Sequence, residues 1–95
     1  MQVWEEKINN EMVLIHEESH GYKGFFHKGK DLYMASSVDL YREGTTGECM
    51  IFYVDPVERE VDWGEYYCAR IESVRPEDLI NLLINSIKEF LNEDS

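Results

Sequence analysis

The residues with the sharpest chemical spacing are His16, Glu17 and His20, in the run His16-Glu17-Glu18-Ser19-His20. On an α-helix, histidines four positions apart share a face and can hold Zn²⁺. The glutamate between them can then act as general base on a metal-bound water. A third ligand would come from downstream, with His27, Glu43 and Glu48 as candidates. Three features weigh against this chemistry. Glu18 places a charge where zinc peptidases keep an uncharged residue. Gly21 ends a helix directly after the second histidine. Only fifteen residues precede the motif, too few for the substrate-binding sheet that normally comes first in such enzymes. The run is therefore read as surface residues, with a small zinc-dependent hydrolase on His16, Glu17 and His20 kept as an alternative. No catalytic residue, metal or other cofactor is expected, and the chain is not expected to be an enzyme.

The remaining polar groups point to binding rather than catalysis. Glu58, Glu60, Asp62 and Glu65 crowd around Trp63. They form a row of negative charge suited to a basic cleft, not an acid–base pair. Lys23, Lys28 and Lys30 make one basic spot on an acidic chain, and a module sequestering a small anion there is a further alternative. Cys49 and Cys68 lack redox spacing and are expected in a reduced, cytoplasmic state. Phosphate-binding loops, nucleophile elbows and calcium loops are absent from the sequence.

The elements that must position these groups are organised around the stretch Pro76 to Leu91. Ile80, Leu83, Ile84, Ile87, Phe90 and Leu91 recur at three- and four-residue spacing, so they share one face of a helix. Ser73 is the expected cap, with Pro76 tolerated in the first turn. Such a stripe needs a sheet to lie on. Trp4–Ile8, Asn9-Asn10 and Met12–Ile15 read as a hairpin, although the spacing of Trp4, Ile8, Met12 and Ile15 also suits a helix. Tyr22–His27 and Leu32–Ser36 read as strands around a turn at Gly29. Val38–Arg42 is a further expected strand, and Glu43–Gly47 the turn after it. Glu48–Val54 and Glu65–Ile71 are the last strands, joined by an acidic connection over Val57–Gly64.

Alternation divides each strand between two faces. Met50, Phe52, Val54, Tyr67, Ala69 and Ile71 are assigned to the helix. Ile51, Tyr53, Tyr66 and the two thiols then form an apolar second face. The N-terminal segment or a partner, a second copy included, must cover it. The fold class is thus α+β: an antiparallel sheet of four to six strands with a C-terminal amphipathic helix on one face, in a single domain over residues 1–95.

Net charge bounds the partners. At -11 over 95 residues, with 43% hydrophobic content, the chain is globular and strongly acidic. Direct binding to phosphate backbones needs Lys and Arg, so nucleic acid is excluded as an expectation, whereas a basic protein is favoured. No apolar run approaches the ~20 residues of a membrane span.

From Gly47-Glu48-Cys49-Met50-Ile51-Phe52, through Asp62-Trp63-Gly64-Glu65-Tyr66 and into one helix, the chain resembles small uncharacterised proteins of phages and low-GC Gram-positive mobile elements. The likeness covers about the second half and carries no catalytic residues. It implies a stoichiometric inhibitor of the anti-CRISPR or toxin-immunity kind. The expected function is then a non-enzymatic protein that blocks a basic nuclease or other nucleic-acid-handling partner. Glu58, Glu60, Asp62 and Glu65 would steer, and Tyr53, Trp63 and Tyr66 would anchor.

Overall fold

A computed structural model describes residues 1–40 and 45–93. Six strands, β1 (Val3–Ile8), β2 (Glu11–Glu18), β3 (Gly21–Lys28), β4 (Asp31–Leu40), β5 (Thr46–Val54) and β6 (Val61–Ile71), precede one helix, α1 (Pro76–Asn92). The strands form one antiparallel sheet in sequence order. The α+β class and the strand number agree with the sequence-based expectation.

Local chemistry explains the meander. Asn9 and Asn10 both take positive φ, 48° and 69°, the requirement of a type I′ turn, so the N-terminal segment is the hairpin and not the helix. Gly29, at φ 64°, opens the tight turn between Lys28 and Asp31. Gly21 is needed for a different reason. A Cβ there would sit 1.8 Å from the Ser37 carbonyl oxygen.

Several boundaries differ from expectation. The two strands expected around Ser36-Ser37 are one strand, β4, because Ser37 is buried and its hydroxyl donates to the Leu79 carbonyl of α1 at 2.7 Å. In a polar pair that looks like a break, Ser37 is a satisfied core position. Arg42 and the turn residues Glu43 and Gly44 lie outside the described residues. Asp62, Trp63 and Gly64, expected in a connection, belong to β6, and the loop is shortened to Asp55–Glu60. There the Asp55 carboxylate accepts from the Val57 and Glu58 N–H groups at 2.8 and 3.2 Å, which fixes the loop.

The helix begins after Arg75, not Ser73. Ser73 instead donates its hydroxyl to the Asp78 carboxylate and accepts from the Arg75 N–H. Arg75 also meets Asp78 at 3.0 Å. The Ser73 hydrogen bond, and then Arg75, hold the Asp78 carboxyl below its ordinary pKa. The last turn of α1 has no basic residue of its own. Lys28 of β3 supplies the cation: its Nζ donates to the Phe90 carbonyl at 2.9 Å and lies 4.6 Å above the Phe90 ring. Asn9, in the first turn of the meander, donates to the Asn92 side chain at 2.9 Å.

One hydrophobic cluster joins helix and sheet. Leu82, Leu83, Ile87 and Phe90 meet Ile8, Val13, Ile15, Phe26, Tyr33, Ala35, Cys49 and Ile51. Ile80, Ile84 and Leu91 of the expected stripe flank this set, so its centre is turned towards Leu79, Leu82 and Leu83. Gly24 lets α1 come close, since a Cβ there would lie 3.0 Å from Ile87. The face assignment of β5 is inverted. Cys49 and Ile51, not Met50 and Phe52, turn towards the helix, in register with Ala69 and Tyr67. Both parities of β5 are apolar, and a bulge between Ile51 and Phe52 shifts the phase of β6. The N-terminal hairpin extends the sheet edge rather than covering the second face.

Candidate functional site

The face turned away from α1 is read from register and alternation. One cross-strand row runs Glu5, Leu14, Phe25, Met34, Phe52, Glu65, each residue paired to the next. Four apolar side chains in adjacent strands are therefore framed by a carboxylate at each end. Val3, Met12 and Leu14 are exposed on this side. Trp63 packs its ring 5.1 Å from Phe52 and is 71% exposed. Met34, at the centre of the row, is only 3% exposed. The row is thus close-packed sideways, with open ends at Leu14 and Trp63. Glu48 is buried on this face and is held by the Arg70 Nε at 2.7 Å. His16 stacks edge-on against Phe25.

The expected anchors do not form one surface. Trp63 belongs to the open face. Tyr53 and Tyr66 lie on the helix side, in a group with Tyr33 and Phe90. Tyr66 is 5.7 Å from Tyr33 and 6.4 Å from Tyr53 between ring centroids. The bulge explains this, because Ile51 pairs with Tyr67 and Phe52 with Glu65, leaving Tyr66 as the extra residue. Desolvation first, then the nearby Asp31 carboxylate, raises the pKa of both Tyr33 and Tyr53. Glu58 and Glu60 are exposed on the loop between β5 and β6, with Arg59 between them. Asp62 accepts from the Gly64 N–H at 3.1 Å, and Glu65 stands at the end of the apolar row.

The histidine motif takes a different form from the helical one that zinc chemistry needs. His16, Glu17 and Glu18 are in β2, and Ser19 and His20 form the turn to β3. A strand rises about 3.3 Å per residue against 1.5 Å in a helix, so histidines four apart are not neighbours. Among the described residues, no three or more His, Cys, Asp or Glu are grouped to hold a metal ion. The three lysines are also separated. Lys28 is committed to the end of α1, Lys23 lies on the open face, and Lys30 is in the turn. Neither thiol is poised as a nucleophile: burial pushes Cys49 up to about 12, and desolvation, then Glu48, raises Cys68.

Sequence reasoning missed Leu14, Phe25 and Met34. The sequence carries no clean signal for them. Glu5 and Glu18 share the parity that faces away from Ile8 and Ile15, but Glu6, Glu11 and Glu17 share the other, so charge alone does not mark the face that lacks the helix. No protein-family model, curated protein or solved structure matches this chain.

Proposed function

We propose that this chain is a non-enzymatic binding protein that blocks a basic, nucleic-acid-handling protein, in the manner of mobile-element inhibitors. In this reading α1 is an amphipathic element occupying one sheet face, and the other face is kept for the partner. The observation that carries the reading is the gathering of exposed apolar residues, Trp63 foremost, on the face opposite α1, beside an acidic loop. The charge of -11 supports a cationic partner, because opposite potential speeds encounter and like charge repels. Glu58, Glu60, Asp62 and Glu65 steer; Trp63 anchors. Tyr53 and Tyr66, on the helix side, form a second contact only for a partner that wraps the β6 edge.

The test is kinetic. The immobilised chain captures its partner from cells that carry the gene, and the recovered partner is measured against variants at several salt concentrations. Reversing Glu58, Glu60 and Asp62 to Lys is expected to slow association and flatten its salt dependence. Trp63→Ala is expected to speed dissociation, with a loss of about 2 kcal/mol or more, roughly thirtyfold in affinity. If both variants bind as the parent does, the proposal fails.

A further inference from the structure

From the open face we infer the form of the partner element: an amphipathic α-helix with a short apolar stripe and a basic residue near each end. The inference rests on the function proposed above and deepens it.

The geometry of the row carries the argument. Leu14, Phe25, Met34 and Phe52 lie in four adjacent strands, with Glu5 and Glu65 one strand further out on either side. Strands stand about 4.8 Å apart, so the apolar part spans about 14 Å and the two carboxylates about 24 Å. An extended segment laid across this face would press its own N–H and C=O groups onto apolar side chains without partners. A helix satisfies those groups internally. At 1.5 Å per residue, about 16 residues of helix bridge the two carboxylates. The opposite face of the same sheet already accepts such an element, α1, over Val13, Ile15, Phe26 and Ala35.

Charge selects the occupant. A second copy of this chain brings another -11 and presents Glu5 and Glu65 to their like. A helix with cations at its ends meets both carboxylates. Lys23 lies in the adjacent row, paired with His16 and Ser36, so the middle of that helix is neutral or acidic on that side. Met34 and Phe52 are themselves buried, so the apolar contact comes from the exposed Leu14, the half-buried Phe25 and, over Phe52, the exposed Trp63.

The probe is a synthetic 18-residue helical peptide with leucines at i, i+3, i+4 and i+7 and lysines near both ends. Two controls replace the lysines by glutamates or scramble the leucines. Each is titrated into the isotope-labelled full chain and followed by NMR. The lysine-ended peptide is expected to bind saturably, with shifts centred on Leu14, Phe25 and Trp63, and both controls at least tenfold more weakly. Leu14→Asp is expected to weaken it tenfold or more without moving the melting temperature. Glu5→Lys combined with Glu65→Lys is expected to transfer the preference to the glutamate-ended peptide. The inference is overturned if the scrambled peptide binds equally, if the shifts fall on the helix side or the acidic loop alone, or if the double reversal leaves the preference unchanged. Self-association in sedimentation that Leu14→Asp abolishes would assign the face to a second copy instead. If the peptide fails while the captured partner still depends on Trp63 and the acidic loop, the binding function stands and only the helical partner falls. If the partner ignores both, the function itself falls.

Discussion

The two faces of the sheet are built from similar residues and are covered to different extents. On one, Ile15, Ile51, Leu83 and Ile87 are completely excluded from water. On the other, Leu14 and Trp63 are exposed while Met34 and Phe52 between them are buried, although Leu14 alternates with Ile15 and Trp63 packs on Phe52, the neighbour of Ile51. Hydrophobicity alone does not separate the two sides. The difference lies in what secures the cover. α1 is tied down at both ends, by Ser37 on the Leu79 carbonyl at its start and by Lys28 and Asn9 at its finish. The open face has matching polar groups at its margins, Glu5 and Glu65, with nothing among the described residues engaging them across the row. A face becomes core when directional contacts fix the element laid on it. A face left with its marginal charges unspent keeps part of its apolar surface exposed.

The contrast can be broken by mutation. The largest effect is expected for Ile87→Ala, which deletes a fully buried side chain and should cost about 2–5 kcal/mol. Leu14→Ala, on the open side, should stay within about 1 kcal/mol. Urea unfolding of the two variants compares the faces directly, and equal losses would mean that the open face is as much core as the covered one. Next comes Ser37→Ala, which removes a buried donor from the Leu79 carbonyl and should cost about 1–2 kcal/mol. Its neighbour Ser36, on the other parity, should tolerate alanine within about 0.5 kcal/mol by the same measurement.

Electrostatic changes are smaller. Lys28→Met removes the cation from the end of α1 and should lower stability by about 0.5–1 kcal/mol, whereas Lys23→Met should not. Thermal melts at low and high salt check both, since the Lys28 effect should be the one that salt screens in part. The smallest effect is expected for Asp78→Asn. The Asp78 carboxyl is held below its ordinary pKa by Ser73 and then Arg75. Its contribution is therefore present above the unfolded pKa and is lost as pH falls through the lowered folded value. The melting temperature of Asp78→Asn should lie below that of the parent at neutral pH, and the gap should close in strong acid. A constant gap would show that the site acts through packing rather than charge.

Much of the architecture was legible in the sequence for identifiable reasons. Asn9-Asn10 and Gly29 announce their turns through the positive φ that they adopt. The helix announces itself through its period. What was not legible depended on information outside any single segment. The parity of β5 could not be resolved, because Cys49, Ile51 and Tyr53 compete with Met50, Phe52 and Val54 on equal terms. The bulge opposite Ile51 and Phe52 placed Tyr66 on the same side as Tyr67, which strict alternation forbids. The candidate site suffered accordingly. Its acidic residues and Trp63 were recognisable from composition, but the apolar row beside Trp63 exists only once five registers are aligned.

The meander also has a temporal consequence. Each strand of this sheet pairs with the one made just before it, so the sheet can assemble hairpin by hairpin as the chain leaves the ribosome. The helix is translated after all six strands. At about 5–20 residues per second, its 17 residues take roughly one to three seconds to make. During that interval the core residues that α1 will cover are open on the nascent sheet. The excess of acidic residues is already in place along the earlier strands, so neighbouring nascent chains repel one another until α1 arrives.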